Sequence, residues 1–170
     1  MSARSDASLS GATKLLVLGA TSGTGREVVS QALQQGHDVT VFVRSPQRLT
    51  VTHDGLRVLT GSVTDEGQAL AAAVRAQDVV ISTLGVGRSF KSEGLITRSI
   101  PKIVAAMESQ QIRRLIFTSA YGVGATRNDV PLLPRTLRGF PRISRADVAD
   151  FLLTQIQSRM YVRKGVLIAY

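Results

Sequence analysis

The chain has 170 residues, of which 44% are hydrophobic and 19% are charged. This composition supports one compact domain with an apolar core and excludes a largely disordered chain. No apolar run approaches the roughly 20 residues that span a bilayer, so we expect no membrane partner. The chain contains no cysteine, which excludes disulfides, thiolate metal sites and a cysteine nucleophile, and is typical of a cytoplasmic protein.

The positive charge is concentrated in the last third of the chain. The formal net charge is +9, and ten of the 21 basic residues but only three of the 12 acidic ones lie in residues 113–170. A basic surplus can indicate nucleic-acid binding, yet only Phe140 interleaves the central arginines, so stacking platforms for bases are scarce. We therefore favour a solvated or anion-facing surface over a nucleic-acid partner for this cluster, which comprises Arg135, Arg138, Arg142 and Arg145.

Residues 1–13 are predicted to form a flexible N-terminal tail. After them, short apolar and β-branched runs alternate with helical stretches. The alternation favours a single α/β domain over residues 14–170, Rossmann-like, with three α/β/α layers and a mostly parallel sheet ordered 3-2-1-4-5. Strands are predicted at Lys14–Ala20, Asp38–Arg44, Leu56–Gly61, Asp78–Leu84 and Arg114–Ala120, with a short final strand at Gly165–Tyr170.

Four helices are predicted from apolar residues at helical spacing and from capping residues. Pro101 lies inside the third, so we expect regular helix there only from about Ser99 onward. Thr64 is predicted to cap the second helix and Ser144 the fourth. The predicted helices are Gly25–Gln35, Asp65–Ala76, Leu95–Gln111 and Arg145–Ser158.

A glycine-rich turn joins the first predicted strand to the first helix. It includes Gly19, Gly23 and Gly25, and such a turn lets a pyrophosphate approach backbone N–H groups. We expect Gly19 to permit the tight turn, Gly23 the close approach of the ligand, and Gly25 the close packing of helix on strand. The pattern predicts a dinucleotide site; the alternative is a glycine-rich turn without a ligand.

The end of the second predicted strand indicates which dinucleotide binds. It carries Arg44, followed by Arg48, where NAD-binding proteins usually offer a carboxylate to the ribose hydroxyls. A guanidinium can hold a 2′-phosphate through two parallel hydrogen bonds, so NADP(H) is favoured over NAD(H). The alternative is that both arginines are exposed loop cations.

An ordered set of motifs along residues 14–170 resembles the atypical short-chain dehydrogenase/reductases. The most similar branch contains NAD(P)H-binding proteins related to flavin reductase (biliverdin reductase B) and to NmrA. The motifs are Gly19–Gly25, Val43–Leu49, Gly61–Val63, Leu84–Gly85, Thr118–Ala120 and Ile143–Ala149. The resemblance implies contacts of Thr24 and Gly25 with the pyrophosphate, Arg44 and Arg48 with the 2′-phosphate, Ser62 and Val63 with adenine, and Leu84 and Gly85 with ribose. The other predicted cofactor-binding residues of the turn are Gly19, Thr21, Ser22 and Gly23.

The chain departs from this family pattern in three ways. Ser22 stands where the family usually has glycine, and Ser62 stands where it commonly has aspartate. The third departure is the interval 121–144, which has no Arg-Pro pair and is too short for a helix of about 11 residues, a strand of about 5 and their connections. The resemblance therefore implies a missing segment, with a junction near residues 133–137 and a shortened second half.

Candidate catalytic residues are few. None of the three tyrosines has a lysine four residues later, which excludes the proton relay of the classical short-chain dehydrogenases. By resemblance, Ser119 approaches the nicotinamide; its alternative is an ordinary hydroxyl at a strand end, and Tyr121 is a weaker candidate. No group of histidines and carboxylates has the spacing of a metal site.

The sequence favours an NADP(H)-dependent oxidoreductase of the flavin-reductase type, with a flavin or quinone as the small planar acceptor. Two alternatives stay open: a non-catalytic NmrA-like protein that binds or senses the dinucleotide, and a deletion variant with impaired catalysis. Because the shortened second half would leave the fifth strand uncovered, we also expect homodimerisation through this edge of the sheet.

Overall fold

The computed structural model describes residues 11–65, 68–85, 94–119, 143–166 and 168. Tyr121 and the expected junction near residues 133–137 lie outside these ranges. Of the predicted tail, residues 1–10 also lie outside them. Thr13 is buried, its carbonyl accepts a hydrogen bond from the backbone N–H of Asp38 at 3.1 Å, and its own N–H donates to Nδ1 of His37 at 3.3 Å. The predicted tail is therefore too long by at least this residue, because Thr13 extends the backbone pairing of the first strand.

Five parallel strands form one sheet. Their order is β3-β2-β1-β4-β5, which confirms the predicted order. The bounds are β1 (Lys14–Leu18), β2 (Asp38–Val43), β3 (Leu56–Thr60), β4 (Val79–Ser82) and β5 (Arg114–Phe117). Each strand ends one to three residues earlier than predicted, because the glycines and polar residues that follow turn away into loops at the carboxyl edge of the sheet.

The core lies on both faces of β1, as expected for a central strand with a continuous apolar sequence. Leu15 and Val17 contribute to one apolar cluster and Leu16 and Leu18 to the other, since successive side chains point to opposite faces. All four are fully buried. The sheet is therefore covered on both sides by helices, as the three-layer prediction requires.

The helices are α1 (Gly23–Gln34), α2 (Ala69–Val74), α3 (Leu95–Ser109) and α4 (Arg145–Thr154), with a short 3-10 helix at Pro46–Arg48. One face of the sheet carries α1 and α4, and the other carries α2 and α3. Within the described ranges, no helix is both long enough and apolar enough to cross a membrane.

The helix starts that differ most from the sequence predictions are those of α2 and α3, while α1 begins two residues early, at Gly23. Thr64 does not cap α2, which begins four residues later after Gln68; its hydroxyl instead lies 2.8 Å from that of Ser62. Regular helix in α3 begins at Leu95 rather than near Ser99, and Pro101 lies inside it. Pro101 removes one backbone donor, but burial of Ile103 and Met107 from the same helix offsets that loss.

The chain after α4 also differs from the prediction. Ser144 caps α4 as expected, but the helix ends at Thr154 instead of Ser158. Gly165 and Val166, predicted to begin a final strand, are exposed and extend no strand; residues 167, 169 and 170 lie outside the described ranges. Within those ranges β5 is therefore an edge strand of the sheet.

Candidate functional site

The predicted cofactor residues that the structure describes meet at one edge of the sheet. Because all five strands are parallel, their carboxyl ends share this edge, and ligands of open α/β sheets bind there. β1 and β4 are neighbours at the centre, and the chain leaves them for opposite sides of the sheet. The loops that follow the strands carry Gly19–Gly25, Arg44 and Arg48, Ser62 and Val63, Leu84 and Gly85, and Ser119.

Gly19 and Gly25 bring the turn close to its neighbours. Gly19 has φ +85°, a left-handed conformation that favours glycine, and a Cβ there would lie 2.8 Å from the carbonyl carbon of Thr83. A Cβ at Gly25 would lie 2.2 Å from the carbonyl oxygen of Gly19. Neither position has room for a side chain, in agreement with the tight turn and the close helix packing predicted from the sequence.

The side chain of Arg145 lies beside Gly23, while the predicted close approach of a ligand to this glycine stays a prediction. A Cβ at Gly23 would lie 2.6 Å from both Nε and Cζ of Arg145. The space beside this glycine therefore holds a side chain of the protein, the first residue of α4. From the sequence alone, Arg145 belongs to the basic cluster and not to the predicted cofactor site, because the packing of α4 on α1 is a long-range feature that no local pattern reveals.

The N-terminus of α1 presents two open backbone donors. Ser22 caps the helix: its Oγ accepts from the N–H of Gly25 at 2.9 Å, and its carbonyl accepts from Arg26 at 3.0 Å. The N–H groups of Gly23 and Thr24 have no hydrogen-bond acceptor within the described ranges. Ser22, which stands where the family usually has glycine, therefore acts as the N-cap of α1. A turn with two free backbone donors and a cationic side chain beside it fits a pyrophosphate.

Thr83 is a structural member of the site that sequence reasoning missed. It directly follows β4 and is buried. Its Oγ1 lies 3.1 Å from the carbonyl oxygen of Leu18, 3.2 Å from that of Gly19 and 3.4 Å from Oγ of Ser22. This hydroxyl ties the glycine turn to the neighbouring strand. The sequence feature that could have indicated this role is the position of Thr83 at the end of a central apolar strand.

The loops after β2 and β3 flank the turn on the side where the adenosine half of a dinucleotide would lie. Arg44 and Arg48 are exposed, and neither forms an ion pair within the described part of the chain. Val63 is buried in the apolar cluster under α2 and α3, while Ser62 is half-buried. Lys102 of α3, which sequence reasoning missed, donates from Nζ to the carbonyl oxygen of Thr64 at 2.6 Å. This contact ties the loop after β3 to α3.

The loops after β4 and β5 lie on the other side of the turn. Leu84 is half-buried and Gly85 is exposed. Ser119 lies two residues beyond the end of β5 rather than inside it, and its side chain is exposed. The backbone N–H of Thr118 donates to the carbonyl of Ser82 at 3.0 Å, which keeps this segment beside β4. Tyr121, the weaker catalytic candidate, lies outside the described ranges.

Two further features bear on where the site lies. Across residues 11–65, 68–85, 94–119 and 143–166, no group of three histidine or acidic residues could hold a metal ion. A shallow cavity of about 330 Å³ lies at the opposite edge of the sheet, where the strands begin, and its lining includes Lys14, Asp38, Arg57, Arg75 and Gln77. None of the predicted cofactor residues lines this cavity, so the carboxyl edge remains the candidate site.

Comparisons with known proteins identify the family of the chain. The model of the NAD(P)H-binding family matches residues 19–141. Pinoresinol reductase 1 of Arabidopsis thaliana is 29% identical over 131 residues, which cover 72% of this chain; the chain spans only 40% of that relative's length.

Solved structures show the same fold. A Rossmann-fold NAD(P)-binding family protein from Shigella flexneri superposes with a TM-score of 0.66 at 21% identity, covering 88% of this chain and 89% of that one. An anaerobillin reductase from Escherichia coli O157:H7 gives a TM-score of 0.58 at 23% identity, covering 85% and 63%. These likenesses show the Rossmann fold. The matched family model shows that the chain belongs to the NAD(P)H-binding family, whose cofactor is a nicotinamide dinucleotide, and it confirms the resemblance to atypical short-chain dehydrogenase/reductase-like proteins at this level.

Proposed function

We propose that the protein is an NADP(H)-dependent oxidoreductase of the flavin-reductase type. It transfers hydride from the nicotinamide to a small planar acceptor, a flavin or a quinone. The observation that carries the proposal is the glycine turn between β1 and α1. There Gly25 packs against the carbonyl of Gly19, and the N–H groups of Gly23 and Thr24 have no acceptor within the described ranges. This is a pyrophosphate cradle at the point where the sheet order reverses.

Arg44 and Arg48 support the choice of NADP(H). Both are exposed at the carboxyl edge and face no described acid within ion-pair distance, so their charge is available to the 2′-phosphate. Ser62 and Val63 would lie against adenine, and Leu84 and Gly85 against the ribose. Ser119 would lie beside the nicotinamide, because the segment that carries it runs next to the end of β4.

The cofactor itself supplies the hydride when it is bound. The chain has to hold the pyrophosphate and the 2′-phosphate and thereby orient the nicotinamide toward the acceptor. No tyrosine-lysine relay exists in the sequence, so the proton that accompanies the hydride comes from solvent. The exposed Ser119 hydroxyl can donate a hydrogen bond to the nicotinamide or to the acceptor, which positions it without a change in protonation.

The names of matched relatives also support a reductase. Pinoresinol reductase 1 and the isoflavone reductase homolog of Solanum tuberosum match 72% and 67% of this chain. Both matches cover 40% of the relative or less. They therefore support the cofactor half of the activity more than the choice of acceptor, which rests on the resemblance to flavin reductases.

The experiment is a two-step titration of the purified chain. NADPH and NADH are first titrated separately, with binding followed by nicotinamide fluorescence. FMN or a quinone is then added, and loss of NADPH absorbance is followed against a protein-free mixture. We expect tighter binding of NADPH than of NADH and catalysed oxidation of NADPH. Binding without turnover would instead support a dinucleotide-binding protein, and no binding by folded protein would refute the proposal.

A further inference from the structure

Arg145 lies at the cofactor edge, although it is 120 residues from the glycine turn in the chain. A Cβ built on Gly23 would lie 2.6 Å from Nε and Cζ of Arg145 and 2.7 Å from its Cδ. The guanidinium and the last methylene therefore lie directly against this glycine. The side chain is exposed and has no hydrogen-bond or ion-pair partner within the described ranges.

The packing of α4 fixes this position. The carbonyl of Ala146 accepts a hydrogen bond from Nε2 of Gln31 in α1 at 3.1 Å. Ala149, Leu152 and Leu153 of α4 are buried in the same apolar cluster as the buried face of α1. The packing of α4 on α1, and not an ion pair formed by Arg145, therefore positions this side chain beside Gly23.

The electrostatic setting of Arg145 calls for an anion. The first turn of α1 contains no acidic residue, and its N–H groups give this end of the helix a partial positive charge. Arg145 is also the first residue of α4, where a cation is unfavourable for the same reason. Asp147, the acid nearest to it in sequence, accepts a hydrogen bond from the hydroxyl of Ser144. The guanidinium therefore lies at the N-terminus of α1 without a described carboxylate bound to it.

Gly23 is the residue that permits this contact. Any side chain there would displace the guanidinium from the helix end, since a Cβ already lies within 3 Å of three Arg145 atoms. The absence of a side chain at this position lets a cation from α4 stand beside the two open N–H groups of Gly23 and Thr24. A dianionic pyrophosphate on those donors would lie within reach of the guanidinium, which can form two parallel charge-assisted hydrogen bonds.

We propose that Arg145 is a pyrophosphate-binding residue, which contacts the dinucleotide from α4 beside Gly23 of the glycine turn. The proposal rests on the proposed function, because it assumes that a dinucleotide occupies the turn. It gives the segment Ile143–Ala149 a role in binding and makes the contact between α1 and α4 part of the site.

The test compares Arg145→Ala and Arg145→Lys with Arg159→Ala, a matched control that removes the same charge from an exposed arginine beyond α4. Each protein is titrated with NADPH and with adenosine 2′-monophosphate, which lacks the pyrophosphate. We expect Arg145→Ala to weaken NADPH binding by about 10- to 100-fold and to leave binding of the monophosphate unchanged. Arg145→Lys should recover part of the affinity, and Arg159→Ala should bind both ligands as the parent does. Thermal unfolding of each variant shows that it is folded.

Three results would overturn the inference while the proposed function stands. The first is unchanged NADPH binding by Arg145→Ala. The second is tighter NADPH binding by this variant, which would mean that the side chain blocks the turn. The third is an equal loss of affinity for NADPH and for the monophosphate, which would mean a general effect of charge. A folded parent protein that does not bind NADPH gives a different outcome: it refutes the proposed function, and this inference with it.

Discussion

At the scale of single residues, three exposed arginines lie at the candidate site without an ion-pair partner within the described ranges. Arg44 and Arg48 stand after β2, and Arg145 stands over Gly23. None of them forms an ion pair within the described ranges. If a dinucleotide binds as proposed above, the two sets of arginines would contact different phosphates of that one ligand.

The 2′-phosphate is the phosphate that distinguishes the two nicotinamide cofactors. Arg44→Ala should weaken NADPH binding by about 1.5–3 kcal/mol, because a charge-assisted hydrogen bond is lost, and should leave NADH binding unchanged. Calorimetric titration of both cofactors checks this. Arg57→Ala, which removes an exposed arginine from β3, is the control. Equal losses for NADPH and NADH would show that Arg44 does not contact the 2′-phosphate.

At the scale of elements, the glycine turn is held by the neighbouring strand as well as by its own helix. Thr83 at the end of β4 contacts the carbonyl oxygens of Leu18 and Gly19 through its hydroxyl. Both carbonyls also accept backbone hydrogen bonds, from Thr83 and from Ser22 respectively. Removing the hydroxyl would therefore leave each carbonyl with one donor. The expected loss in the free energy of unfolding is that of one net hydrogen bond, because no buried polar group is left without a partner.

Thr83→Val should accordingly lower the free energy of unfolding by about 0.5–1.5 kcal/mol. It should also weaken NADPH binding, because the turn loses its link to β4. Urea denaturation and cofactor titration measure the two effects. Thr83→Ser keeps the hydroxyl and should retain NADPH affinity. A Thr83→Val protein as stable as the parent, or a Thr83→Ser protein that loses as much affinity, would contradict this account.

The elements also show what local sequence determines and what it does not. The five strands of the sheet and their order follow from apolar runs between turns, and their predicted order is confirmed, although each strand ends early and Gly165 and Val166 form no strand. The start of α3 was predicted wrongly because the penalty for Pro101 is local, whereas the burial of Ile103 and Met107 that offsets it is tertiary. The same distinction between local and tertiary effects explains which residues of the candidate site could be predicted. Gly19 and Gly25 could be predicted from a local pattern, but Arg145 reaches Gly23 only through the packing of α4 on α1.

At the scale of the whole molecule, the two edges of the sheet differ in how much apolar surface they leave exposed. The side chain of Phe117 on β5 is 51% exposed, and that of Val58 on β3 is 41% exposed. The first residue of β5 is tied to the chain after α4, since Nη1 of Arg114 donates to the carbonyl of Ser158 at 2.8 Å. The carboxyl end of β5, where Phe117 lies, has no comparable tie within the described ranges.

We expect two copies of the chain to associate through the β5 edge, because an exposed strand edge with a large apolar side chain can pair with another chain. Phe117→Lys should shift the protein toward monomer, since a lysine on an edge strand opposes such pairing. Val58→Lys places the same charge on the opposite edge and is the matched control. Size-exclusion chromatography with light scattering over a range of concentrations measures the change. A parent protein that stays monomeric at every concentration would refute the expectation. Equal effects of both substitutions would show that net charge, and not the β5 edge, governs association.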